Sequence, residues 1–327
     1  MRYNTSMGSY ETLLGTWHKT IQYSNIFDYP LTIDEIHLYA IGNHPISLEQ
    51  FKSWVEKNQL LLNDQFTCVD DLWSVKGRSK IAPIRQKRSK ISQNKVQHAK
   101  RILAPLRIIP WISFIGISGA TAANNSRFAD DIDLFIITQP NRMWLSRALI
   151  LIYLTLIRQR YNMRQRAKNA RPSFCVNHII TTKELTQKHQ DIYVANDIAR
   201  LQTVINKGQT YEKFIAANEW VKNYLCNWWE IKGKHITITE SLRATLEKDP
   251  QLHQILFIVS APIRMPFVLL SWVIDLMEKA TQSLQKQRLY ENELYVETST
   301  PPLQFHPHDN RDWVIREYLL AMRKTNY

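Results

Sequence analysis

Residues 111–138 read WISFIGISGATAANNSRFADDIDLFIIT, and this stretch decides the fold. The apolar run Ile112–Ile117 predicts a buried strand, which ends at the turn Ser118-Gly119-Ala120. Residues Thr121–Ala129 are expected to form a polar helix or loop. Ile132–Thr138 then predicts a second strand. The stretch therefore indicates a strand, turn, helix, strand unit.

Two carboxylates stand at the start of the second predicted strand. Because side chains alternate across a strand, Asp131 and Asp133 are expected on one face, with Ile132 and Leu134 on the other. Such close negative charges repel each other, and a cation that prefers oxygen ligands, Mg²⁺ or Mn²⁺, would neutralise them. Gly119 allows a tight turn whose amides can approach a phosphate. The unit is therefore suited to clamp a metal-bound triphosphate.

The segments Ser118-Gly119-Ala120 and Asp131-Ile132-Asp133-Leu134 resemble the motif of the nucleotidyltransferase superfamily, which includes DNA polymerase beta and the CCA-adding enzymes. The family motif is Gly followed by Gly or Ser, a spacer, and Asp-apolar-Asp-apolar. The resemblance implies that Asp131 and Asp133 are catalytic metal ligands and that Ser118, Gly119 and Ala120 lie under the phosphates. Ala120 stands where the family has a phosphate-contacting Ser, so that contact would come from backbone amides or Ser118.

A third carboxylate in this family usually comes from a later strand and activates the acceptor hydroxyl. Here the candidate strand is Ser173–Thr181, and its interior polar residue is Asn177, which can contact a metal but cannot take a proton. His178 is a possible base at neutral pH, although a structural histidine is the alternative. Asp191 and Asp197 follow in a predicted helix, where solvated charge is the expected role.

Positive charge is concentrated around this motif. The chain of 327 residues has 42 Lys and Arg against 29 Asp and Glu, a net charge of +13. Residues 76–107 hold eleven of the cations and no acid, and their apolar spacing predicts a helix from about Ser89 with a basic outer face. This segment would contact a nucleic acid backbone or a triphosphate, or form a solvated face. The six cations considered for such contacts are Arg85, Lys87, Arg88, Lys95, Lys100 and Arg101.

Residues 1–76 predict a winged-helix-like domain of three helices and a two-stranded wing. Thr32–Glu35 and Ser47–Gln50 match the capping box that starts a helix. Apolar segments on both sides of Asn63-Asp64 suggest the wing. The helix over 47–58 would be the recognition helix, but it is less basic than most DNA-reading helices. A protein-docking or scaffold role is therefore the alternative to DNA binding.

The second half of the chain is predicted to be helical. Helical spacing covers Asp191–Val204 and Tyr211–Trp229, and the aromatic residues of the latter are interpreted as core. Ile255–Met277 is interpreted as a buried helical pair interrupted by proline, too short to span the ~30 Å of a bilayer. His306–Asp309 either ligates a metal or, as the favoured alternative, caps a final helix.

These patterns predict an α/β (α+β) nucleotidyltransferase core with a mixed sheet over residues 110–185. A winged-helix-like domain at 1–76 and a basic connecting helix at 77–109 would precede it, and a helical domain at 186–327 would follow. Composition agrees with a helix-rich globular chain, because only 8 residues are glycine and 44% are apolar. Three separated cysteines and the absence of a signal-like start suggest the cytoplasm.

The resemblance implies transfer of a nucleoside monophosphate from an NTP to an acceptor hydroxyl, with Mg²⁺ (or Mn²⁺) held by Asp131 and Asp133. Ser118, Gly119 and Ala120 would contact the phosphates, and Arg127 or the basic helix would offset the developing charge. The alternative is a nucleotide- or nucleic-acid-binding module without turnover. Membrane contact is not expected.

Overall fold

The computed structural model describes residues 5–160, 173–237, 264–291, 303–304 and 310–324. Its N-terminal region has four helices and a hairpin: α1 (Thr5–Asn25), α2 (Ile33–Leu38), α3 (Leu48–Lys57), α4 (Gln59–Gln65), β1 (Phe66–Val69) and β2 (Leu72–Val75). Both predicted capping boxes are present, because the Thr32 and Ser47 hydroxyls each accept a hydrogen bond from the third helical amide. The fully buried Trp17 lies in the core of this region, packed against Phe51 and Trp73.

The predicted wing turn at Asn63-Asp64 is wrong. Both residues lie in α4, and the hairpin turns instead at Asp70-Asp71, where β1 and β2 pair with Val69 opposite Leu72. Asp70 and Asp71 have φ values of 51° and 60°, the left-handed pair that a two-residue hairpin turn requires. A short leucine run suits a helix as well as a strand, and here it continues the helical segment.

The basic segment forms one long helix, α5 (Ile81–Leu103), followed by a 3-10 turn over Ala104–Ile108. It begins eight residues before the predicted start at Ser89. Pro83 lies in its first turn, where the missing amide hydrogen costs no helical hydrogen bond.

A five-stranded mixed sheet lies at the centre of the structure. Its strands are β3 (Ile112–Ile117), β4 (Ile132–Thr138), β5 (Phe174–Thr181), β6 (Gln202–Asn206) and β7 (Leu303–Gln304). Their order across the sheet is β6-β3-β4-β5-β7. β4 and β5 are parallel, and the other neighbouring pairs are antiparallel. The two strands of the motif are therefore confirmed, and they pair directly with each other.

Helices cover both faces of this sheet. The remaining helices before the C-terminal region are α6 (Gly119–Ala122), α7 (Met143–Leu156), α8 (Ile192–Arg200), α9 (Thr210–Ala217) and α10 (Cys226–Trp228). Ile132 and Leu134 pack into the core that contains residues of α5 and α7. Phe135 and Ile137 pack into the opposite core, with residues of α8, α9 and α1. Strand alternation therefore places Asp133 on the face covered by α8 and α1.

Two predictions for the second half of the chain are wrong in detail. The predicted helix Asp191–Val204 ends at Arg200, and the chain then enters β6, which adds an edge strand to the central sheet. The predicted helix Tyr211–Trp229 is divided into α9, a 3-10 turn and α10. The interpretation of its aromatic residues as core is confirmed for Phe214 and Trp228, which are 1% exposed.

The C-terminal region contains α11 (Arg264–Glu291) and α12 (Asn310–Lys324). Of the predicted apolar helical pair, residues 255–263 lie outside the described residues, and the rest is the start of α11. In α11, Trp272 is 70% exposed, in contrast to the predicted burial. The segment His306–Asp309 also lies outside the described residues. Among the helices described, none has the length and apolar character needed to cross a membrane.

Candidate functional site

The turn between β3 and α6 brings the backbone against a motif carboxylate. The amide of Ser118 donates to the carbonyl of Asp133 over 3.0 Å, which joins the turn to β4. Gly119 has φ +62°, and a Cβ atom there would lie 2.7 Å from Oδ2 of Asp133. Only glycine fits both the left-handed backbone and this close approach. The turn and the carboxylate therefore form one packed unit.

Asp131 and Asp133 are joined by a third side chain, Cys175. Their possible ligand atoms, two carboxylate oxygens and a sulfur, all lie within 4.8 Å of one another. Cys175 comes from β5, where it pairs with Asp133 in the parallel register. Burial, the two nearby carboxylates and a hydrogen bond to Asp131 raise the pKa of the Cys175 thiol well above its usual value. The sulfur is therefore protonated at neutral pH.

These donors suit two classes of cation differently. The carboxylates of Asp131 and Asp133 are the hard oxygen ligands that Mg²⁺ or Mn²⁺ takes. A neutral thiol is a poor ligand for Mg²⁺, whereas Zn²⁺ or Co²⁺ binds a thiolate well. The residues present thus fit a divalent metal, and Cys175 adds a soft donor that the family pattern does not include.

A cleft of about 450 Å³ opens beside these groups. Of the predicted phosphate-contacting residues, Ser118, Gly119 and Ala120 line it together with Asp133. Its other walls come from α1 and the loop after it, from β5, from α8 and from α12. The structure therefore brings the motif turn and one motif carboxylate to a space of small-molecule size.

Arg127 does not line this cleft, in contrast to its predicted role in offsetting charge. Its side chain is exposed, and its backbone amide donates to the Asp130 carboxylate over 2.7 Å. The buried cation beside the motif is Lys95, whose ammonium donates to Oγ of Ser126 and to the carbonyls of Arg127 and Asp130. Lys95 fixes the loop that leads into the Asp-x-Asp strand.

The electrostatic role of Lys95 follows from its position. Burial lowers the pKa of Lys95, and the charges of Asp130, Asp131 and Asp133 oppose that shift. A buried ammonium near three carboxylates offsets part of their mutual repulsion.

Arg85 and Arg88, two further α5 cations predicted to bind phosphates, also contact protein groups: Arg85 pairs with Glu35 at 2.6 Å, and Arg88 donates to Asn125 at 3.1 Å. Lys87, Lys100 and Arg101 are exposed.

Asn177 lies in β5 as predicted, at a register irregularity between the pairs Leu134–Val176 and Phe135–His178. Its side chain is outside the part of the chain that the structure describes, so its predicted role stays a prediction. The β5 residue that the described structure places with Asp131 and Asp133 is Cys175.

His178 is partly buried and packs edge-to-face against Phe135, with ring centroids 4.7 Å apart, and it also lines the cleft. Burial lowers its pKa to about 4, so the ring is neutral at pH 7. Its Nε2 atom is buried and has no hydrogen-bond partner among the described residues.

Four residues of α8 line the cleft: Tyr193, Asn196, Asp197 and Arg200. Three of them were not predicted as site residues, and Asp197 was expected only as solvated charge on a helix. Their spacing of three, four and seven residues places them on one face of the helix, while Ile192, Ala195 and Ile198 belong to the core. This polar stripe on an otherwise apolar helix was the available signal. Asp191, by contrast, caps α8 and pairs with Arg311 at 2.6 Å.

The chain has no significant match among protein-family models, curated proteins or solved structures.

Proposed function

We propose that the protein is a metal-dependent nucleotidyltransferase that transfers a nucleoside monophosphate from an NTP to an acceptor hydroxyl. The observation that carries the proposal is the packing of the Gly119 turn against Asp133, with Asp131 beside it, at the cleft. Phosphate-facing amides next to paired carboxylates are what a metal-bound triphosphate requires. Residues 110–185 are accordingly proposed as the nucleotidyltransferase core and residues 1–76 as a winged-helix-like domain.

In this proposal, Asp131 and Asp133 hold Mg²⁺ (or Mn²⁺). When bound, the metal offsets the charge of the triphosphate and of the leaving pyrophosphate. The amides of Gly119 and Ala120 lie in the first turn of α6, where no preceding helical carbonyl accepts them, and both residues line the cleft. They are available to the β- and γ-phosphates, in place of the Ser side chain that Ala120 lacks.

Deprotonation of the acceptor hydroxyl requires a proton acceptor in the cleft. We assign this role to Asp197, which lines the cleft together with Ser118 and His178. The Cys175 thiol already carries its proton at neutral pH, and an asparagine at 177 cannot accept one. Replacing Asp197 with asparagine should therefore reduce transfer while leaving metal-dependent NTP binding intact.

The second candidate function is a nucleotide- or nucleic-acid-binding module without turnover. The observation that favours it is that Cys175 stands beside Asp133 where a third carboxylate would complete the metal site. Nucleic-acid contact through residues 76–107 would depend on exposed cations such as Lys87, Lys100 and Arg101, because Arg85, Arg88 and Lys95 contact protein groups.

Calorimetric titration with ATP, in Mg²⁺ and in EDTA, tests the metal site. Binding is expected only with Mg²⁺, and the double variant Asp131→Asn, Asp133→Asn should abolish the difference between the two buffers. Asp70→Asn, on the exposed hairpin turn, is the matched control and should behave as the unaltered protein. Equal ATP binding in both buffers would refute the metal-site proposal. Incorporation of labelled nucleotide into an acceptor then separates the enzyme from the binding module.

A further inference from the structure

Arg200, the last residue of α8, lines the cleft together with Asp133. Its guanidinium carbon lies 3.8 Å from the centre of the Tyr39 ring and 5.6 Å from that of Tyr29. Stacking on aromatic rings uses the flat face of a guanidinium and leaves the N–H groups at its edge free to donate. The tyrosines therefore hold the cation in a fixed orientation without using its hydrogen bonds.

Within the described part of the chain, no carboxylate pairs with Arg200. It forms no ion pair and donates no hydrogen bond to any described residue, whereas Arg85, Arg142 and Arg311 each bind a carboxylate. Asp197 is the acidic residue that lines the cleft on the same helix, but it is not within ion-pair distance of Arg200. A half-buried arginine that is held in one orientation and forms no ion pair can bind an anion from outside the protein.

Two further arginines, Arg85 and Arg88, lie near this wall of the cleft. The guanidinium carbon of Arg85 lies 3.7 Å from the centre of the Tyr29 ring, and Arg85 is only 9% exposed. It binds Glu35 through Nη2, while its Nε and Nη1 atoms are buried without a hydrogen-bond partner among the described residues. Arg88 donates to Asn125, which also lines the cleft. Glu35 pairs with Arg85, and the Asp28 carboxylate lies 4.0 Å from Arg88, so Arg200 is the one of these three arginines without a carboxylate partner among the described residues.

We propose that Arg200 forms an oxyanion subsite of the cleft, which binds a phosphate or carboxylate group of a substrate. The inference deepens the proposed function, because it gives the cleft a cationic group in addition to the acidic metal site. The oxyanion belongs either to the triphosphate of the nucleotide or to an anionic acceptor.

Binding of inorganic pyrophosphate in EDTA tests the subsite apart from the metal site. By calorimetry, the full chain is expected to bind pyrophosphate, and Arg200→Gln should weaken binding at least ~10-fold, because charge-assisted hydrogen bonds are lost. Arg200→Lys should give an intermediate value, since it keeps the charge and loses the fork geometry. Arg323→Gln, at an exposed position near the end of α12 and outside the cleft, removes the same charge and should have little effect.

Two results would overturn the inference: no pyrophosphate binding by the unaltered protein, or equal losses in Arg200→Gln and Arg323→Gln. If Arg200→Gln unfolds, as judged by circular dichroism, Arg200→Lys decides alone, and affinity equal to that of the unaltered protein counts against the subsite. The variant Asp131→Asn, Asp133→Asn should retain pyrophosphate binding in EDTA. Failure of the metal site and failure of the subsite are therefore distinguishable.

ATP with Mg²⁺ identifies the source of the oxyanion. If Arg200 contacts the nucleotide, Arg200→Gln lowers ATP affinity by the same factor as pyrophosphate affinity, and the two ligands compete. If Arg200 contacts the acceptor, ATP affinity is unchanged, and protein loaded with ATP and Mg²⁺ still binds pyrophosphate. Either result supports the subsite and assigns its ligand.

Discussion

Replacing Gly119 with alanine would perturb the backbone and the metal site at once. At φ +62°, an alanine costs roughly 1–2 kcal/mol relative to glycine. In addition, its Cβ would lie 2.7 Å from Oδ2 of Asp133, a separation that requires the carboxylate to rotate or the turn to open. Since the Asp133 carboxylate belongs to the proposed metal site, Gly119→Ala should lose at least ~10-fold in Mg²⁺-dependent ATP affinity, about 1.4 kcal/mol.

The chain offers a matched control for this substitution. Gly208 has φ +55°, but a Cβ there would meet no atom within 4 Å. Gly208→Ala therefore carries a similar backbone cost without the contact to Asp133. Urea denaturation should show a loss of unfolding free energy in both variants, at least as large in Gly119→Ala, and calorimetry should show weaker ATP binding only in Gly119→Ala. Equal ATP affinities in the two variants would refute the reasoning that the turn positions Asp133.

Four further substitutions, at three positions, test other parts of the structure. Glu278 of α11 is 8% exposed and accepts hydrogen bonds from the Trp144 and Leu145 amides at the start of α7; Glu278→Ala should lower the unfolding free energy by about 1–3 kcal/mol in urea denaturation. Cys175→Asp should raise Mg²⁺ affinity in calorimetric titrations. On adding Co²⁺, the unaltered protein should show a sulfur-to-metal absorption band, and Cys175→Ser should remove it. If the unaltered protein shows no such band, the thiolate is excluded as a ligand. Burial lowers the pKa of His178 from 6.5 to about 4, so between these pH values the unfolded state binds more protons than the folded state. The stability present above pH 6.5 should therefore be lost as the pH falls towards 4, by up to about 3 kcal/mol. His178→Phe should flatten this part of the stability curve, and an unchanged curve would contradict the lowered pKa of His178.

The core of the motif could be predicted from the sequence because its signals are local. The strands Ile112–Ile117 and Ile132–Thr138 are bounded by turn residues and rich in β-branched residues, and alternation within the second strand correctly places Ile132 and Leu134 in one core. Capping boxes likewise depend on neighbouring residues. By contrast, Leu60–Leu62 carries no periodicity that separates a helix from a strand, and the prediction of a strand there was wrong.

The missed site residues depend on tertiary contacts. Cys175 meets Asp133 through the parallel register of β4 and β5, which the sequence does not specify. Arg200 lines the cleft because α8 packs over the sheet, and Tyr39 stacks on it from the N-terminal region. Lys95 was counted among the exposed cations of a basic helix, since a sequence cannot show that a loop 31 residues away folds over its ammonium.

The parallel pairing of β4 with β5 determines whether Asp131, Asp133 and Cys175 come together. Asp133 is paired with Cys175, and the residues before and after Cys175 are Phe174 and Val176. A slip of one position would place an apolar side chain beside Asp133 and turn the thiol to the other face of the sheet. A cation that binds through sulfur would therefore stabilise only the correctly aligned sheet, and it would report on the assembly of the fold as well as occupying its cleft.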